Sequence, residues 1–154
     1  MSTWKPAIRE GLVSGSLASL FSAAYLAWAG TRRGMPAAPV NAVSHWFFGD
    51  RSLRQDEPSL RYTATGYLTH HAAAIFWAVL HAKVWGTRAI AKQPLPAAAG
   101  AVAAAGVACF VDYQLTPKRL TPGFEHRLAK PDMTAVYACF ALGLMAGSLL
   151  MKKR

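Results

Sequence analysis

LPAAAGAVAAAGVACFVDYQL, residues Leu95–Leu115, holds a single carboxylate near its end and no Lys, Arg or His. A helix needs about 20 such residues to cross about 30 Å of hydrocarbon. Backbone in lipid must satisfy its own hydrogen bonds, so a run of this kind is a helix rather than a strand. Working outward, Leu12–Gly30, Tyr67–Gly86 and Met133–Met151 have comparable length and apolarity. The sequence therefore predicts an all-α, polytopic membrane protein. Its four transmembrane helices, at about 12–30, 67–86, 95–115 and 133–151, form a bundle, and residues 1–154 make a single integral membrane domain.

Composition agrees. Apolar residues make up 53% of the chain and charged residues 16%, which suits a bundle and excludes a disordered or fibrous chain. The formal charge is +10, from 17 Lys and Arg against 7 Asp and Glu. These cations fall in termini and loops, without the aromatic-interleaved basic helix or zinc-finger spacing of a nucleic-acid binder. Phospholipid headgroups and the rules of membrane insertion account for them, and no nucleic-acid partner is expected. Cys109 and Cys139 lie inside apolar segments and read as small packing residues. Lys5, Arg9 and the Ala27-Trp28-Ala29 triplet loosely mimic a secretory signal. The apolar segment between them is longer than a signal core and carries an ordered ladder of small residues, so it is expected to remain as the first span.

Four spans put both termini on one side. That side holds eight cations, among them Lys5, Arg9, Arg88 and the Lys152-Lys153-Arg154 cluster, against nine on the other. The C-terminal cluster and the short basic loop near Arg88 lean toward cytoplasmic termini under the positive-inside rule. Gly11, Gly15, Ser19, Ala23 and Ala27 recur at four-residue steps in the first span. Ala135, Cys139, Gly143 and Gly147 do so in the fourth. Small residues on one helical face let backbones approach closely where lipid supplies no hydrophobic drive. Packing within the bundle is the first use of such faces, and self-association the second.

The connection Thr31–Gly66 is long for a bundle and is expected to contain structure. Asn41 is placed as the cap of a short interfacial helix through Phe48, ended by Gly49, with Trp46, Phe47 and Phe48 as membrane-surface anchors. The next helix is expected to begin near Ser59.

Polar residues inside a span are costly and therefore suspect. His70, His71 and His81 sit in the second span and Asp112 near the end of the third. Equal depth allows Asp112 to pair with an imidazole of His70 or His71, fixing its tautomer, with Tyr67, Tyr113 and Tyr137 in reach. A haem is not expected, because the other spans offer no histidine to face His70 or His81. Beyond Asp112 runs DYQLTPKRLTPGFE, Asp112–Glu125, followed by His126. Pro117 ends the helix, Pro122-Gly123 is a turn signal, and Lys118 and Arg119 form a displayed basic pair able to meet anionic headgroups or an anionic substrate.

This segment and the stretch AVYACFALGLMAG, Ala135–Gly147, resemble a family of uncharacterised bacterial four-helix inner-membrane proteins. Those proteins carry an Asp-Tyr pair, a Pro-x-Arg and a Pro-Gly-Phe-Glu run between their last two helices. The resemblance covers mainly residues 109–147. It implies a four-helix protein of the bacterial inner membrane and brings no activity or catalytic residue with it.

Three functions are compatible with these residues. The first is a structural or interaction protein, associated with lipid or a membrane complex, whose His/Asp cluster clasps helices. The second is a small metal-dependent enzyme with His70, His71, Asp112, Glu125 and His126 as catalytic candidates, and His70, His71 and His126 as ligands. No HExxH, GxSxG or histidine-box spacing accompanies it. The third is an oligomeric proton-coupled transporter or channel with a histidine relay, for which the discontinuous helix pair of a transporter site is missing.

Overall fold

A computed structural model describes residues 4–151, so the Lys152-Lys153-Arg154 cluster lies outside the described residues. The described chain is helical. The elements are α1 (Trp4–Thr31), α2 (Ala38–Val43), α3 (His45–Phe48), α4 (Thr65–His81), α5 (Pro94–Phe110) and α6 (Lys130–Leu150). Wide π-helical turns extend α4 at both ends, Leu60–Ala64 and Ala82–Gly86, and continue α5 through Val111–Leu115. Short 3-10 turns fill Gly49–Arg54, Ile90–Lys92, Lys118–Leu120 and Phe124–His126.

Among the described residues, three helices are long and apolar enough to cross a membrane: Trp4–Thr31, Pro94–Leu115 and Lys130–Leu150, with mean hydropathies of 1.4, 1.8 and 1.8. The sequence predicts four. The fourth candidate forms an unbroken helical run from Leu60 to Gly86, but its α-helical part is 17 residues and contains His70, His71 and His81. Three imidazoles offset much of the apolarity that Ile75, Phe76, Val79 and Leu80 supply.

The chain divides into two compact units. The first comprises Met1–Ser22, His71–Ala108 and Tyr137–Arg154. Its core is Ala18 from α1, Ala74 and Ala78 from α4, Ala101 and Ala105 from α5, and Phe140, Ala141 and Leu144 from α6. Four helices thus meet through methyl groups. The expected glycine positions make this possible. A Cβ on Gly11 would strike the Val79 backbone at 2.7 Å and one on Gly15 the Ile75 Cα at 2.7 Å. Gly143 and Gly147 lie against the Leu17–Ala18 and Ser14 backbones. Close approach of this kind replaces hydrophobic drive by van der Waals contact.

The second unit comprises Ala23–His70 and Cys109–Val136. Its core is Leu26, Ala29, Val40, Val43, Phe124, Leu128 and Val136, with Tyr25, Tyr67 and Met133 packed against it. The turn after α1 depends on Gly34, whose φ of 73° lies in the left-handed region, and Gly49 ends α3 at φ 64°. Ser59 caps the following helix by accepting the Tyr62 N–H at 3.0 Å. Those two expectations hold.

Asn41 departs from its expected role. It lies inside α2, where Ala37 is the cap, and it is fully buried. Its side-chain NH2 donates to Gln55 O at 3.0 Å and Glu57 O at 2.9 Å, and its oxygen accepts from Thr63 Oγ1 at 2.6 Å. A buried amide so satisfied pins the loop 55–57 and the helix beyond Ser59 to α2. All of α2 is buried, so it is a core element and no surface-lying helix. Of the three aromatic anchors only Phe47 is largely exposed, at 66%. The Phe48 ring meets Tyr62 edge-on at 5.4 Å, and the Trp46 indole donates to Thr121 O at 2.9 Å.

Candidate functional site

The DYQLTPKRLTPGFE segment folds back on the first loop within the second unit. Pro122-Gly123 makes the anticipated turn, with Gly123 at φ 95°. A side chain there would also meet Ala42 O at 2.5 Å and His45 Nδ1 at 2.6 Å, so glycine is required twice over. Thr121 donates its hydroxyl to Glu125 Oε1 at 2.6 Å, and the Tyr113 hydroxyl lies 3.4 Å from Glu125 Oε2. Arg127 donates to Leu53 O at 2.8 Å and forms an ion pair with Asp56. The two long connections are therefore joined to each other by side-chain contacts.

A second anchor joins the same loops to α6. Asp132, only 6% exposed, accepts from the Tyr25 hydroxyl at 3.1 Å and faces Arg32 at 3.5 Å and Arg33 at 3.7 Å. Arg33 also donates to Arg127 O at 2.7 Å. Two guanidinium groups against one buried carboxylate satisfy its lone pairs and its charge together.

His70 is half-buried in the second unit, its ring 6.3 Å from Phe124 in an edge-on contact. His71 belongs to the first unit, where Nδ1 meets Ser19 Oγ at 3.0 Å. Asp112 is half-buried in the wide turn after α5. His126 is exposed, with Nε2 3.8 Å from Glu125 Oε1. His45 Nδ1 lies 2.9 Å from Ala42 O, which assigns its proton there and leaves a lone pair on the buried Nε2. Among the described residues no three His, Cys, Asp or Glu side chains are gathered to hold a metal ion. Cys109 and Cys139 are free thiols.

Lys118 and Arg119 are exposed on the 3-10 turn Lys118–Leu120. The turn is held from beneath: Thr121 Oγ1 reaches Lys118 O at 3.0 Å, Trp46 takes Thr121 O, and Thr121 meets Glu125. A rigid turn presents both cations at little entropic cost.

The sequence reading missed a constellation in the first unit. Glu10, 4% exposed, accepts from Lys92 Nζ at 2.6 Å and Ser148 Oγ at 3.0 Å. His81, 6% exposed, has neither ring nitrogen hydrogen-bonded. Its Cε1 and Glu10 Oε1 both face Gly86, at 3.4 and 2.5 Å from where a Cβ would stand. The available signal was Glu10 itself, the one carboxylate within the first helix. No protein-family model matches this chain, and no curated protein or solved structure matches it.

Proposed function

We propose that the chain is an integral protein of the bacterial inner membrane that crosses four times, with both termini cytoplasmic, and that it serves an interaction role. Its joined loops engage anionic phospholipid headgroups through Lys118 and Arg119. The carrying observation is the exposed basic pair on a turn that Thr121 anchors, its hydroxyl bonded to Glu125 and its carbonyl to the Trp46 indole. Guanidinium and ammonium groups meet phosphate oxygens through charge-assisted hydrogen bonds, the guanidinium by a forked pair of donors. Side-chain ion pairs, Asp132 with Arg32 and Arg33 and Arg127 with Asp56, hold the loop network together, which favours a scaffold over a catalyst.

Protein purified in mild detergent from membranes is expected to retain anionic phospholipid, read by native mass spectrometry. The double variant Lys118→Ala/Arg119→Ala should retain several-fold less. Equal retention, or a bare wild-type monomer with neither lipid nor protein partner, would refute the interaction role. The crossing pattern is tested separately, by impermeant thiol labelling in a Cys109→Ala/Cys139→Ala background. Cysteines replacing the exposed Asp50 and Ala129 should label from one side and one replacing Arg88 from the other. Labelling at 50 and 88 from one side with 129 from the other removes the crossing at Leu60–Gly86.

A further inference from the structure

An apolar groove of about 600 Å³ runs along the first unit between α4 with its terminal π turn and α5. One wall is Trp77, His81 and Trp85, at four-residue steps on one helical face. The other is built from small residues, among them Gly100, Ala103 and Val107. From Trp77 to Trp85 the axial rise is about 12 Å. The geometry is fixed at the outer end: the Trp85 indole lies against Gly100 and donates to Pro96 O at 3.0 Å. Replacing Gly100 with any larger residue would evict it.

Ligand sites are largely apolar with few polar groups that set orientation. Here that group is His81, the sole ionisable residue of the lining, and it is 94% buried by its 6% exposure. Neither of its nitrogens has a hydrogen-bond partner. An unpaired buried N–H is costly, so a carbonyl that reached it would recover that loss. Both nitrogens lie beneath the groove surface, so a ligand engages one only as the imidazole turns about its broad χ2 well. No lining residue is charged, and Lys92, the nearest cation to Glu10, is already closed on that carboxylate at 2.6 Å. The groove therefore favours a neutral headgroup over a carboxylate or phosphate. Two indoles flank the imidazole, which favours a planar conjugated ring, and the alanine floor beyond it suits an apolar tail.

We propose that this groove binds an isoprenoid quinone, the ring lying between Trp77 and Trp85 with a carbonyl accepting from His81. The inference rests on membrane residence but not on headgroup binding by Lys118 and Arg119. Purified protein is titrated with a benzoquinone bearing one isoprene unit, and quenching of indole fluorescence is read, with palmitate as competitor. Saturable quenching is expected. His81→Leu should weaken it about tenfold, the magnitude of one lost hydrogen bond, while His81→Gln, which keeps a donor, stays within about threefold. Ala103→Phe fills the groove from an exposed position and should abolish saturation. Lys118→Ala/Arg119→Ala should leave the titration unchanged. Wild-type binding by His81→Leu and Ala103→Phe would overturn the site, and displacement by equimolar palmitate would assign the groove to acyl chains instead. Loss of lipid retention with an intact titration sinks the headgroup reading alone; the converse sinks this one alone.

Discussion

Gly143→Leu is expected to prevent the first unit from assembling. The Cβ of any residue at 143 would fall on the backbone of α1, at Leu17 C within 2.6 Å and against Ala18 N and Cα. Backbone cannot rotate aside as a side chain can, so the helices must separate along their length. Overpacking a filled core ordinarily costs about 1–3 kcal/mol. Here the contacts of Ala18, Ala141 and Leu144 are lost with it, and the cost is expected to exceed that range. Size-exclusion profiles and thermal unfolding in detergent measure it. Gly106 is the control, because a Cβ there meets nothing within 4 Å. Gly106→Ala should be neutral or stabilise the protein by about 0.5–1 kcal/mol through helix propensity. A Gly143→Leu protein that unfolds like the wild type would show that α1 and α6 do not touch at this point.

The other large effect is expected at Glu10. Its side chain is 5% exposed and that of Lys92 15%, so removing either partner strands a charge. Glu10→Ala is expected to cost about 3–5 kcal/mol, the range for breaking a buried pair. Lys92→Met alone should fall in the same range, since Glu10 then keeps only the Ser148 hydroxyl. The double variant Glu10→Ala/Lys92→Met should recover most of the loss, because no unpaired charge remains. A double-mutant cycle on thermal stability reads the coupling directly. Simple additivity would mean that the two groups are separately solvated.

Much of the helical layout was legible. Long apolar runs announced α5, α6 and the end of α1 within a few residues, because in such runs length and polarity alone decide the outcome. The structure carries α1 back to Trp4, well before the Leu12 of the sequence reading, and that extension is what brings Glu10 inside the helix. Ser59, Gly49 and Pro122-Gly123 were legible as well, since each acts through its own backbone geometry. Asn41 was misread because an Asn before an apolar run looks like a cap, and only the fold shows that its partners lie at Gln55, Glu57 and Thr63. Nor does the sequence say which neighbour each adjacent histidine takes: pointing about 100° apart on a helix, His70 meets Phe124 and His71 meets Ser19. Glu10, Lys92 and Ser148 meet from three distant segments, a juxtaposition that no spacing rule encodes.

The anchors of the second unit differ in when they become available during synthesis. Asn41 finds all its partners within the next two dozen residues, so α2 and the loop beyond it can set while the ribosome is still making α4. Asp132 meets Tyr25, Arg32 and Arg33 only after α5 has been inserted, and Arg127 reaches Asp56 at the same late stage. Until then Arg32 and Arg33 lack the carboxylate that holds them in the folded chain. A nascent chain stalled before residue 127 would hold a first loop that is folded but unfastened, and protease cutting near Asp56 would mark that interval.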